Sequence, residues 1–149
     1  MKRFLLVSCL VFACAFVQGQ GRIKDSVAYR EYHNAPKEER KFPTYSGSEE
    51  ALKRFLNENL NMEIVGSKKL KKGYAKMVCI IDKNGKPEYQ LNPYLNKKVD
   101  NEIKRVFNLM TQWHTGEYLK NGSWVKVESQ LMILINIPYT PNDIKFYYF

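Results

Sequence analysis

Residues 125–137, Val-Lys-Val-Glu-Ser-Gln-Leu-Met-Ile-Leu-Ile-Asn-Ile, constrain the fold more than any other part of the chain. Val127, Leu131, Ile133, Ile135 and Ile137 fall on one face at period two, and Lys126, Glu128, Gln130 and Asn136 on the other. Side chains alternating in this way make one long strand, about twice the usual five or six residues. Pro138 stops it, and only eleven residues follow. A long last strand with little chain left to cover it is expected at a sheet edge. Its free N–H and C=O groups there can pair with another extended chain. The alternation points to a binding module before an enzyme.

Upstream, Ser46 with Glu49 three residues on reads as a capping box, with Glu50 adding charge that favours the helix N-terminus. Ala51, Leu52, Phe55, Leu56 and Leu60 then share one face, so a first helix is predicted over about 49–59. Residues 74–82 alternate as a strand with Ala75, Met77, Cys79 and Ile81 together. Asn84-Gly85 supplies a tight turn, and about 88–91 returns as a second strand before Asn92-Pro93 breaks it. Asn96 caps a second helix over about 97–112, with Val99, Ile103, Val106, Phe107, Met110 and Trp113 as its buried stripe. The order helix, strand, strand, helix, strand predicts an α+β fold: two helices on one face of a three-stranded antiparallel sheet. The aromatic tail, residues 139–149, is expected to pack on the sheet or cover its edge.

The first nineteen residues read as a signal peptide. Lys2 and Arg3 precede an apolar run over residues 4–17, and Val17-Gln18-Gly19 offers a cleavage site before Gln20. That run of fourteen residues falls short of the ~20 that span a bilayer as a helix. Export to the periplasm or cell envelope of a Gram-negative cell is therefore expected; an uncleaved anchor is the alternative. Residues 20–41 are polar and charged and read as a flexible linker, partly helical around 26–32. The folded domain is expected over 42–138.

After cleavage 22 bases face 15 acids, a net charge of +7. Lys68, Lys69, Lys71 and Lys72 form the densest basic cluster, a solvated loop or a contact for anionic lipid, peptidoglycan or another acidic envelope polymer. No nucleic-acid motif accompanies the charge. Cys9 and Cys14 leave with the signal, so Cys79 stands alone and no disulfide framework forms.

Catalytic chemistry has little to stand on. His33 lies in the linker and His114 at a helix end, neither in a recognised nucleophile motif. Cys79 belongs to a core face, where burial raises a thiol pKa. No Cys, His and Asp set has metal-ligand spacing, and Gly85, Gly116 and Gly122 are turn glycines rather than a phosphate loop. Neither enzyme activity, nor a cofactor, nor a metal is expected.

Phe42-Pro43 followed by Gly47-Ser48-Glu49-Glu50-Ala51-Leu52 resembles the "FPGGEEAL" opening of TonB C-terminal domains. Ile80-Ile81-Asp82-Lys83-Asn84-Gly85 is similar to that family's strand ending in "VVDxDG". Trp113, Gly116, Asn121-Gly122 and Val125-Lys126-Val127 are similar to "W.PG…NGKPVKV". The resemblance covers about residues 42–138. It implies the fold derived above and a domain that captures an extended segment of an outer-membrane transport receptor by strand addition. By that carry-over the docking edge is Lys126, Val127, Glu128, Ser129, Gln130, Leu131, Met132, Ile133, Leu134, Ile135 and Asn136. Departures are visible: Asn61-Met62 stands where the family has Tyr-Pro, and Met132 where it often has proline. The linker of about twenty residues extends at most ~70 Å, short for an energy transducer. A cleaved form binds without pulling; an uncleaved, membrane-anchored form restores the transducer reading. A basic domain held on peptidoglycan, and a homodimer formed through the same edge with residues 146–149 promoting or blocking it, are the remaining alternatives.

Overall fold

Two nine-residue strands with alternating apolar side chains make the centre of the molecule. Gly73–Ile81 (β3) buries Ala75, Met77, Cys79 and Ile81, and Ser129–Ile137 (β8) buries Leu131, Ile133, Ile135 and Ile137 on the same face. They pair antiparallel over their full lengths, from Gly73 opposite Ile137 to Ile81 opposite Ser129. This is a computed structural model that describes residues 27–141 and 143–149. The expected signal segment 1–19 lies outside the described residues, as do the first residues of the expected linker.

In chain order the elements are α1 (Val27–Asn34), a 3-10 turn (Lys37–Glu39), β1 (Arg40–Lys41), β2 (Thr44–Tyr45), α2 (Glu49–Asn59), α3 (Met62–Val65), β3, β4 (Pro87–Asn92), α4 (Lys97–Asn108), β5 (Trp113–His114), β6 (Gly116–Lys120), β7 (Ser123–Val127), β8 and β9 (Ile144–Tyr148). The fold is mixed α+β with antiparallel sheets. A four-stranded sheet runs β4-β3-β8-β9, a three-stranded one β1-β6-β7, and a two-stranded one β2-β5. Leu52, Leu56, Val65, Val99, Ile103, Val106 and Phe107 from the helices close the main core over the apolar face of the large sheet.

Local chemistry sets the ends of these elements. Ser48, not Ser46, caps α2: its hydroxyl accepts from Ala51 N–H at 3.0 Å. Ser46 sits at φ 48° and donates its N–H to Gln112 O instead. The β3–β4 turn is held by the Asp82 carboxylate, which accepts from the N–H groups of Asn84 and Lys86, both at 2.8 Å. Gly85 there has φ 81°, and a Cβ would lie 2.4 Å from Trp113 O, so no other residue fits. The Asn96 side chain caps α4 as expected, accepting from Lys98 and Val99 N–H. The helix ends at Asn108 rather than near Gln112. Leu109 and Met110 bond back to Val106 and Phe107 in a tightened last turn, and Trp113 is then free to enter β5 opposite Tyr45.

Three further features differ from the expectation drawn from the sequence. The sheet expected to have three strands has four, because the tail forms β9. Residues 125–137 are not one strand: β7 pairs with β6, β8 pairs with β3, and Glu128 lies between them. Burial keeps the same parity through Val127, Ser129 and Leu131, so periodicity alone could not mark where the partner changes. The change is fixed by Thr115, whose hydroxyl meets Val127 O and Ser129 Oγ, and by Gly116 N–H, which donates to Ser129 Oγ at 2.8 Å.

The expected linker is also packed along its described part. Tyr32 of α1 is fully buried in a second cluster with Tyr118 and Val127, and its hydroxyl donates to Lys41 O at 3.2 Å. Burial pushes that phenol up to about 12. The expected packing of the tail is seen at Tyr139, which pins the chain between β8 and β9. It is 1% exposed, its N–H donates to Val65 O at 2.7 Å, and its hydroxyl donates to Asn57.

Candidate functional site

The expected docking edge is not an edge. Lys126 and Val127 belong to β7 and face Glu117 and Gly116 of β6. Ser129, Gln130, Leu131, Met132, Ile133, Leu134, Ile135 and Asn136 belong to β8, an interior strand with β3 on one side and β9 on the other. The reason is physical. A nine-residue apolar strand left at an edge would expose a long row of unpaired backbone groups, and the chain's own tail covers it.

The actual edge on this side is β9. Phe149 N–H donates to Gln130 O at 3.3 Å, and the register sets Tyr148 opposite Leu131. Antiparallel pairs alternate between hydrogen-bonded and non-bonded. Lys145 and Tyr147 therefore exchange bonds with Leu134 and Met132, while Ile144, Phe146 and Tyr148 aim their N–H and C=O groups outward. No strand pairs with that side among the described residues. The other edge, β4, starts at Pro87 and is followed by Pro93, residues without an N–H to offer a ladder.

Side chains hold β9 in place. Ile144 is buried in the main core, with Phe146 and Tyr148 packed against it. The Phe42 and Tyr148 rings lie 4.7 Å apart, and Lys53 Nζ is 5.6 Å from the Phe146 ring centroid. The Tyr148 hydroxyl donates to the Glu49 carboxylate. Burial, with that carboxylate beside it, raises the phenol pKa. Tyr147 and Phe149 stand 41% and 44% exposed, so the edge presents aromatic surface as well as backbone groups.

Other singled-out residues scatter. Lys68, Lys69, Lys71 and Lys72 lie exposed on the loop before β3. His33 ends α1 against the Tyr29 and Tyr32 rings, and burial followed by the charge of Arg40 lowers its pKa. His114 is exposed in β5. Among the described residues, no group of three or more His, Cys, Asp or Glu is placed to hold a metal ion, and no helix is long and apolar enough to cross a membrane.

Cys79 faces the main core, and burial raises its thiol well above the usual range. Little thiolate then exists at neutral pH. Cys79 is expected to resist iodoacetamide in the native protein and to react once urea unfolds it. Peptide-resolved mass spectrometry checks this; rapid native labelling would show that the strand opens.

The tail was expected to pack on the sheet or cover its edge, and it does so; what was not foreseen is that Ile144, Phe146 and Tyr148 lie in a paired strand. Their signal was present as a short alternation with Lys145 and Tyr147. That alternation is too short to fix which strand the tail would pair with.

The fold and these edges define a mixed α+β domain whose largest sheet ends in proline-flanked β4 on one side and in β9 on the other. No protein-family model matches the chain, and no curated protein or solved structure matches it.

Proposed function

We propose that this chain is a non-enzymatic cell-envelope binding domain that takes up an extended segment of a partner by strand addition at β9. The observation that carries this is the outward row of N–H and C=O groups at Ile144, Phe146 and Tyr148, on the sheet edge that no proline interrupts. Main-chain pairing along that row supplies affinity, and Tyr147 and Phe149 beside it select side chains. The resemblance of residues 42–138 to TonB C-terminal domains supplies the partner: a segment of an outer-membrane transport receptor. Within the fold, α2, β3, β4, α4 and β8 occur in that family's order, with α3, β5, β6 and β7 inserted among them. The basic charge assists encounter with an acidic segment.

Two substitutions at one position test the backbone row. Phe146→Ala removes the ring and keeps the N–H; Phe146→Pro removes both, while leaving the β8-facing donors of Lys145 and Tyr147 in place. With a receptor-derived peptide in calorimetry, the proline variant is expected to bind about tenfold more weakly than the alanine variant, the equivalent of about one hydrogen bond to a preformed edge. Equal affinities in two folded variants would remove β9 as the docking strand.

A further inference from the structure

Two loops meet at the end of the large sheet opposite the β3–β4 turn. Residues 66–72, between α3 and β3, carry Lys68, Lys69, Lys71 and Lys72. Residues 93–96, between β4 and α4, lead directly into exposed Lys97 and Lys98. Tyr94 joins the loops: its hydroxyl donates to Lys71 O, and its ring lies against Gly73, where a Cβ would come within 3.0 Å of it. Between them is an open recess of about 610 Å³ lined by Tyr74, Tyr94, Leu95 and the stems of Lys69, Lys71 and Lys72.

The charge on this surface is uncompensated. None of the six lysines forms an ion pair among the described residues, and no acid occurs in residues 64–81 or 89–99. Asp100 is buried, and its oxygens accept from Tyr94 N–H at 2.8 Å and Leu95 N–H at 3.1 Å. Glu63 and Asp143 flank this end, and Asp143 accepts from the Asn136 amide at 2.6 Å.

An apolar crest stands among these charges. Leu95 is 89% exposed at φ 75°, and Tyr74 is 57% exposed. A left-handed backbone disfavours a leucine, and asparagine or glycine would fit it better. Exposure to water gives the side chain no folding benefit that offsets this. A leucine held rigidly outward by Asp100, ringed by lysines, suits an interface that is apolar inside and anionic at its surface.

We propose that this end of the molecule is a membrane-contact site. It seats on the anionic face of a bilayer, with Leu95 and Tyr74 entering the headgroup–acyl boundary. Lys68, Lys69, Lys71, Lys72, Lys97 and Lys98 meet the lipid phosphates. A free anion would call for donors converging on an enclosed pocket, whereas these lysines spread around an open recess. A soluble polymer would gain nothing from Leu95. The site is separate from the β9 edge and does not depend on strand capture there.

The test uses the protein as isolated from its host, with vesicles of phosphatidylcholine alone or in equal parts with phosphatidylglycerol. Binding is read by sedimentation and by an amine-modification footprint, which reports this surface whatever the rest of the chain contacts. Lys83 and Lys86, at the opposite end of β3, serve as internal references. Anionic vesicles should bind, more weakly as salt rises, and should protect the six lysines but not the two references. Leu95→Asn should keep or raise the melting temperature while weakening binding on the order of tenfold. Replacing Lys68, Lys69, Lys71 and Lys72 by Gln should weaken it about a hundredfold or more. Phe146→Pro should leave it unchanged. The proposal is overturned if Leu95→Asn binds like the parent, or if the references are protected equally. It is also overturned if isolated peptidoglycan is bound and anionic vesicles are not.

Discussion

Removing residues 143–149 is expected to lower stability by about 3–6 kcal/mol and to turn the protein into a self-associating species. The deleted strand contributes buried Ile144 and the packed rings of Phe146 and Tyr148, each worth about 1.5–3 kcal/mol if fully buried. Its loss also bares the backbone of β8 along residues 131–135, where β9 is paired in the intact chain. A flat apolar strand exposed in this way is a template for edge-to-edge pairing. Urea denaturation reads the first effect, and light scattering across a concentration series reads the second. A truncated chain that stayed monomeric and equally stable would show that β9 is no cover for β8.

Tyr32→Ala should have a comparable effect in a different place. Tyr32 is fully buried against Tyr118 and Val127, and Gly116 approaches so closely that a Cβ there would lie 3.1 Å from the Tyr32 ring. Truncating such an aromatic costs about 3–5 kcal/mol. The loss should be local, because this cluster is separate from the main core. Hydrogen exchange should accelerate first in α1, β1, β6 and β7 while amides of β3 and β8 stay protected. Uniform acceleration across both regions would mean that the two clusters unfold as one unit.

Sequence patterning reached the elements whose signals are local. The α2 span of Glu49–Asn59 follows from two acids at its start and Leu52 and Leu56 one turn apart. The β3–β4 hairpin follows from Asn84-Gly85, and the start of α4 from Asn96. What periodicity lacks is the identity of neighbours. Residues 125–137 keep one alternation while serving two sheets, so the break at Glu128 left no mark. Tyr32 and its companions Ala28 and Ala35 keep helical spacing, yet charged residues around them made the segment read as linker. The lysines before β3 were legible as a cluster, but their union with Leu95 and Lys97 depends on Tyr94 reaching Lys71 across twenty-three positions.

Tyr139 has a kinetic and competitive meaning for any outside strand. Because it is locked to Val65 and Asn57, the tail that follows is tethered within a few residues of its place on β8. A segment held on so short a leash acts at an effective concentration on the order of millimolar. A free peptide aiming for β8 would have to outcompete a neighbour that never diffuses away. One that joins the outer side of β9 faces no such rival and extends the sheet by a fifth strand.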